Sequence, residues 1–525
     1  MKRISQILAC MLLTGVIAQA PLLADTGQLA ATETQATASH DSGHATVDPQ
    51  KELGKQLSIW TVIPFVIILL AIAVLPLVIP HLWESNLVKA VISALLALIM
   101  GAYLVSLGYL GIEVIVETLK EYYAFITLLI ALFTISGGIF IEGDLKATPL
   151  TNTIILGIGS VLASFIGTTG ASVLLIRPLI RTNKERHKTT HIFVFFILLV
   201  SNVGGVLLPV GDPPLFMGYL YGVPFFWTLI KLWPIWLTAV AALLIIFFIW
   251  DNIAYKAEKR ADLRSDDSHQ TRIRVQGAHN FLLILGVLLA VVFLKDYKTD
   301  HGTLAMGWLQ QPVMMALAML SFSLDYMDRT RKRKKHEEDL IQQIKTQGKV
   351  DDKVLRSLSH YHPITPRDRN HFGFAPIIEV AALFIGIFIT MIPALCILKA
   401  RGAETGVSQP WQFYWITGGL SSFLDNAPSY ATFFALGQGL TSSMGAAAGD
   451  VVKATTGAIS ESILVGISVG AVFFGANTYI GNAPNFMVKA MCEESKIKMP
   501  SFFGYMAYTT LILVPILALI AAIYI

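Results

Sequence analysis

The stretch SNVGGVLLPVGDPP, Ser201 to Pro214, interrupts a long apolar segment. Glycines, prolines, a Ser-Asn pair and Asp212 stand where an ordinary membrane-spanning helix would carry apolar residues. In hydrocarbon an unpaired backbone amide or carbonyl costs several kcal/mol, so broken backbone survives only inside protein or along a watery cavity. A carboxylate at such a break is a candidate functional group. A similar break, GANTYIGNAPN, runs from Gly475 to Asn485, and GDPPLFM (Gly211 to Met217) matches GNAPNFM (Gly481 to Met487) at four of seven positions. Interrupted helices at corresponding places in two halves point to the binding site of a secondary transporter.

The composition agrees. Of 525 residues 54% are hydrophobic and 14% charged, against about 25% charged in soluble domains. Many apolar runs exceed the roughly 18 residues of a candidate span. The expected fold is therefore an all-α polytopic membrane protein, an inverted-repeat transporter with two re-entrant helical hairpins and two broken helices. Cys10, Cys396 and Cys492 are scattered and make neither a disulfide framework nor a zinc site. No GxxxxGK[ST] loop occurs, which argues against an ATP-driven pump, and no feature points to nucleic acid.

Residues 1–24 have a positive start (Lys2, Arg3), an apolar core and a small-residue AQA site, and read as a signal peptide. Residues 25–57 are polar and aperiodic, so they are expected to form a disordered extracytoplasmic tail. Spans are placed at about 58–80, 87–108, 122–141, 191–211, 226–250, 279–295, 305–325, 374–398, 460–488 and 502–525. The basic clusters orient them. Three crossings bring the chain inside near Glu142, and RTNKERHK (Arg181 to Lys188) must lie inside as well. The apolar region 150–180 between them therefore enters and leaves on one side, with GTTGAS at its tip. The same count puts YKAEKRADLR and RTRKRKK (Arg329 to Lys335) inside, and makes 411–440 a second hairpin entering from outside with LDNAPS at its tip. The halves are then 58–250, with hairpin 150–180 and broken helix 191–217, and 279–525, with hairpin 411–440 and broken helix 460–488. A cytoplasmic linker, 251–278, joins them, and 326–372 is a solvated cytoplasmic loop with a short helix.

Hairpin tips and broken helices meeting near the midplane offer backbone carbonyls to a cation and helix N-termini to an anion. Ser, Thr and Asn oxygens complete a shell for a hard cation. Asp425, followed by Asn426 and preceded by Ser421 and Ser422, is the leading candidate to hold a sodium ion or a proton. An Asp before Ala-Pro is equally a helix N-cap, and the two roles are compatible. Asp212 before Pro213 and Pro214 has the same two readings. Glu379 is either a coupling group or one half of an interfacial ion pair. Thr168, Thr169, Ser201, Asn202, Asn477, Thr478 and Asn482 are candidate ligands that also suit helix–helix packing. Arg177 and Lys489 are expected to snorkel, and Lys231 with Trp227, Trp233 and Trp236 to form an outer belt.

SNVGG…PVGDPP, SSFLDNAP and GNAPN together resemble the ion transporter superfamily, which includes NhaD-type sodium/proton antiporters, citrate and dicarboxylate carriers and arsenite permeases. The resemblance covers about residues 58–525. DNAP is similar to the NhaD and arsenite branches, whereas the Ser-Asn-Thr motif of the dicarboxylate branch is met only as SNV and ANT. GTTGAS departs from the acidic first tip usual in NhaD-type proteins. The resemblance implies two inverted repeats, a homodimer, and Na⁺ or H⁺ coupling with the ion at Asp425 and Asn426. The resulting expectation is a sodium/proton antiporter of a bacterial inner membrane, working by alternating access on transported Na⁺ and H⁺ without a cofactor. The alternative is a Na⁺- or H⁺-coupled carrier of citrate or another small organic anion, or an arsenite-type permease. An enzyme is not expected: no HExxH or GxSxG occurs, and His191 stands alone at a helix start.

Overall fold

The computed structural model describes residues 48–83, 85–259, 271–299, 302–304, 306–347, 363–445 and 449–525. The signal-like segment and residues 25–47 of the tail lie outside them. The principal helices in chain order are α1 (Pro49–Gln56), α2 (Ile63–Val78), α3 (Asn86–Ser106), α4 (Tyr109–Gly137), α5 (Pro149–Ile166), α6 (Thr168–Thr182), α7 (Thr190–Leu199), α8 (Pro213–Leu220), α9 (Trp227–Lys256), α10 (His279–Phe293), α11 (Gln310–Gln347), α12 (Ala375–Arg401), α13 (Pro410–Ser421), α14 (Asn426–Met444), α15 (Glu461–Phe474), α16 (Ala483–Glu494) and α17 (Phe502–Tyr524). Strand β1 (Phe140–Asp144) pairs antiparallel with β2 (Thr271–Gln276), and β3 (Val451–Ala454) with β4 (Gly457–Ser460). Among the described residues 8 helices are long and apolar enough to cross a bilayer. The chain is an all-α polytopic membrane protein.

Three helices differ from expectation. The third span starts at Tyr109 rather than near 122. Glu113, Glu117 and Glu121, which fall between the expected spans, are spaced by four and so share one helix face. Helix α11 runs well beyond 325, because its charged continuation is laced by the i,i+4 pairs Asp328–Lys332 (2.7 Å) and Arg333–Glu337 (3.2 Å). Residues 49–56, assigned to the tail, form α1. Asp48 caps it through the amides of Gln50 and Lys51, and its carboxylate holds Lys399 at 2.6 Å. Gly54 lies so close to α12 that a Cβ there would stand 1.9 Å from the Cys396 carbonyl oxygen.

By compactness the chain divides into two units that cut across the sequence halves. The first comprises residues 48–126, Glu379–Gly406 and Ala435–Ser443. Its core joins Leu53, Leu57, Met100, Leu104, Val114, Ile389, Ile392 and Cys396. Within it Lys89, 5% exposed, bonds Glu379 at 2.6 Å.

The second unit comprises Thr127–Ile378, Val407–Phe434 and Met444–Ile525. Two helix pairs frame its centre. A Cβ on Gly159 would lie 2.6 Å from the Val200 side chain, and one on Gly204 would lie 2.6 Å from the Ser160 carbonyl oxygen, so α5 and the chain of α7 run in the same direction. Likewise Gly466 approaches Pro410, Gly470 approaches Tyr414 and Gly418 approaches Phe474, each within 2.8 Å of a built Cβ. Helices α13 and α15 are therefore parallel as well. Backbone meets backbone at Gly204, Gly466 and Gly470, and Gly159 and Gly418 admit the Val200 and Phe474 side chains, the small-residue packing that bilayers favour between helices.

Polar contacts gather at opposite ends of this unit. At one end Arg186 (2.5 Å) and His191 (2.8 Å) bond Asp251, which Asn152 also reaches at 3.1 Å. Arg369 bonds Glu142 at 2.8 Å, and Lys184 bonds Asp144 at 3.1 Å. The Arg369 guanidinium, with help from Gln276, holds the Glu142 carboxyl below its ordinary range. At the other end Lys231 (2.8 Å) and the Trp227 indole (3.0 Å) bond Glu461, and Thr455 donates to the Tyr221 carbonyl. This grouping predicts that cysteines placed at Lys184 and Arg333 react with a membrane-impermeant thiol reagent from one side, and one at Lys231 from the other. Sided labelling of right-side-out and inverted vesicles, in a background lacking the native cysteines, checks it.

Candidate ion and substrate site

The two breaks of the second unit close in the same way. After α7 the chain passes through the short turn Val203–Leu207 and returns, so that a Cβ on Gly211 would lie 2.1 Å from the Gly205 carbonyl oxygen. After α15 it returns through Gly475–Asn477, and a Cβ on Gly481 would lie 2.6 Å from the Gly475 carbonyl oxygen. Prolines then restart each helix: Pro213 and Pro214 in α8, Pro484 in α16. Their missing N–H groups cost nothing in a first turn.

Hairpin tips fill in around the breaks. Helices α5 and α6 are divided only by Gly167, whose φ of 78° lies in the left-handed region that glycine reaches without strain. The Thr168 amide then donates to the Gly211 carbonyl at 2.8 Å. Ser164 spans the turn between α7 and α8, donating to Gly204 O (2.5 Å) and accepting from the Leu207 amide (3.2 Å). In the other half Thr478 donates to Ser422 O (2.5 Å) and accepts from the Ile480 and Gly481 amides. The Asn477 amide donates to Ser422 Oγ (2.9 Å), and Ser421 donates to Ala471 O (2.6 Å). The backbone groups freed by the breaks are in this way largely re-satisfied, as a low-dielectric setting demands.

The breaks join each other through Asp212. This carboxylate is 1% exposed. Asn426, at the tip of the second hairpin, donates to its two oxygens at 3.3 and 3.2 Å. Asn482 donates to Asp212 Oδ1 (3.3 Å), to Ser201 O (3.1 Å) and to Asn202 Oδ1 (3.3 Å). Thr168 is a further partner of the carboxylate. Asn202 donates to Ile197 O (2.8 Å) and Asn485 Oδ1 (2.7 Å), and Asn485 returns to Gly475 O and Thr478 O. Ser201 and Ser172 share a hydroxyl bond of 2.8 Å. No lysine or arginine is among Asp212's partners in the described residues. What offsets its burial is amide donation and the N-termini of α8, α6, α14 and α16, which start at Pro213, Thr168, Asn426 and Ala483.

Six of the residues named from sequence thus meet in one knot: Asp212, Asn426, Asn482, Ser201, Asn202 and Thr168. Ser421, Ser422, Asn477 and Thr478 form a second cluster at the later break. Asp425 is half-buried, and its Oδ1 accepts from the Ala427 amide at 3.1 Å, an N-cap bond. Thr169 is half-buried on the first turn of α6. Glu379 belongs to the other unit and is paired with Lys89. Asn485 and Ser172 were not singled out. Asn485 stands three residues after Asn482, which places both on one helix face, and that spacing was the signal available.

Chemically the set is oxygen-rich. The Oδ1 atoms of Asn426 and Asn477 are buried without a hydrogen-bond partner among the described residues, although buried acceptors are normally satisfied. Among the described residues no three His, Cys, Asp or Glu side chains come together. Carboxylate, amide, hydroxyl and backbone oxygens are donors for a hard cation rather than a transition metal.

Residues 54–525 match the model of a family described as "Putative citrate transport". No curated protein matches the sequence.

The close backbone approaches generate a stability prediction. Gly481→Ala must displace the Gly475 and Ser421 carbonyls, at 2.6 and 2.7 Å from the new Cβ. Overpacking of this kind costs about 1–3 kcal/mol. Gly419→Ala, whose Cβ meets nothing within 4 Å, should leave stability unchanged or slightly raised through helix propensity. Thermal midpoints in detergent, read by size-exclusion chromatography after heating, check the contrast.

Proposed function

The chain belongs to this citrate transport family, and from that premise we propose a secondary transporter that exchanges Na⁺ for H⁺ at Asp212. The observation that carries this reading is a carboxylate 1% exposed with no cationic partner among the described residues. Burying an ionised carboxylate costs several kcal/mol after relaxation. Helix N-termini return about 0.3–2 kcal/mol each, and the amide bonds offset part of the remainder. A bound cation balances the rest, and two cations suit the donors: a proton on the carboxylate, or a sodium ion shared with amide and backbone oxygens. Each excludes the other, and that exclusion is the basis of antiport. Asp425, with one oxygen occupied as a cap, lies near enough for its charge to act on Asp212 and takes an auxiliary role.

A second reading, a cation-coupled carrier of citrate or a similar anion, draws support from the family description and from the helix N-termini around the knot, which favour anions. Both readings imply a bacterial inner membrane, transported ions in place of a cofactor, and a homodimer.

Inverted vesicles loaded with a pH-sensitive dye separate the two. Sodium addition should collapse an imposed proton gradient in wild type. Asp212→Asn should abolish the response, and Asp425→Asn should weaken the apparent sodium affinity while leaving exchange in place. Full exchange by Asp212→Asn would sink the assignment, and sodium-dependent citrate uptake without dye response would move the function to the second reading.

A further inference from the structure

Asp212 and Asn482 occupy equivalent places in the two repeats. Each follows a glycine that closes its break, Gly211 or Gly481, and each stands at the N-cap position of a proline-started helix. Their backbones coincide: φ −145° and ψ 142° at Asp212, φ −152° and ψ 138° at Asn482. Neither side chain makes the capping bond its position offers. Both turn inward instead, and they bond each other at 3.3 Å. A residue that forgoes a cap gives up about 0.5–2 kcal/mol of helix stabilisation, so some other use holds both side chains in the same inward pose.

We propose that this pair sets the charge of the cation site, so that one carboxylate distributed over two equivalent positions makes the site monovalent, with Asn482 as its specificity-determining member. The inference rests on the cation-site reading above and extends it to selectivity. The surroundings of both positions support interchange. Position 212 faces the Asn426 amide, whose Nδ2 now donates to it and whose Oδ1 is buried without a partner, so with the Asn426 amide turned over an amide at 212 would donate to that oxygen. Position 482 faces Ser201 O and Asn202 Oδ1. A carboxylate there would add its charge to two oxygens already in place, which is a cation's shell. Asn202 is held by Ile197 O and Asn485 Oδ1, so its oxygen stays directed at position 482. Carboxylates at both positions would add a second charge to the knot itself, beside the Asp425 charge that acts on Asp212 from outside it, and a site so enriched binds a divalent cation in preference to sodium.

The test uses the full chain, purified in detergent, with thermal midpoints in NaCl, choline chloride and CaCl₂ at constant ionic strength. Ligand that binds the folded state raises the midpoint. Sodium should stabilise wild type. Asp212→Asn should weaken the apparent sodium affinity at least about tenfold, and the double exchange Asp212→Asn/Asn482→Asp should restore it to within about threefold of wild type. Asn482→Asp alone should gain stabilisation by calcium that wild type lacks. A folded double exchange that responds to sodium no better than Asp212→Asn overturns the proposal while the site reading stands. If the double exchange fails to fold, Asn482→Asp decides: absence of a calcium shift overturns the proposal. An Asp212→Asn protein with undiminished sodium stabilisation, or a wild type with none, overturns the site reading and the proposal together.

Discussion

Broken backbone deep inside an apolar protein must find partners, and that requirement organises the centre of the second unit. Each interruption frees amides and carbonyls that hydrocarbon cannot solvate. The solution is reciprocal. Thr168 answers Gly211, Thr478 answers Ser422, and Asn485 answers Gly475 and Thr478. The groups that satisfy a break come from a hairpin tip, from the other break or, as with Thr478 and Asn485, from the break itself. The polar centre is therefore a single cooperative object, in which a fully satisfied network is rigid and a partly satisfied one is costly. Its remaining deficit falls on the Asp212 carboxylate and the unpartnered amide oxygens of Asn426 and Asn477.

The spans, the two interruptions and the polar residues at the tips were legible in the sequence because each has a local signature. Hydropathy marks spans, and Gly and Pro mark breaks. What was not legible depends on distance. Asp before a proline-started helix reads the same whether it caps its own helix or reaches across to a neighbour, so the sequence put Asp425 ahead of Asp212 on its neighbours Asn426, Ser421 and Ser422 alone. Asp425 caps. Asp212 does not, and its partners Asn426 and Asn482 are 214 and 270 residues away. Charge misled at α4, where Glu113, Glu117 and Glu121 belong to one long helix. Composition misled at 49–56, because a short polar helix takes its stability from tertiary contacts with Lys399 and Cys396.

The parallel seams explain why the centre holds its geometry. Gly204 in one half, and Gly466 and Gly470 in the other, let main chains touch where side chains would hold them apart, while Gly159 makes room for the Val200 side chain. Close backbone contact leaves few rotamers to adjust, so a helix end carried on such a seam is positioned by rigid parts. Substrate-ordering groups gain most from supports of this kind. At one end of the unit the base of the first hairpin is tied further by Arg186, His191 and Asn152 on Asp251.

The matching closures at Gly205–Gly211 and Gly475–Gly481 carry a consequence for reading natural variation. Within the broken-helix segments a position has a structural twin 270 residues on, the shift that carries Gly205 onto Gly475, Gly211 onto Gly481 and Asp212 onto Asn482. A variant seen in one half can then be judged by its twin's surroundings, and two lesions at twin sites should cripple the molecule more than two scattered ones. For the geneticist, the two broken-helix segments are best read side by side, because both reach one carboxylate.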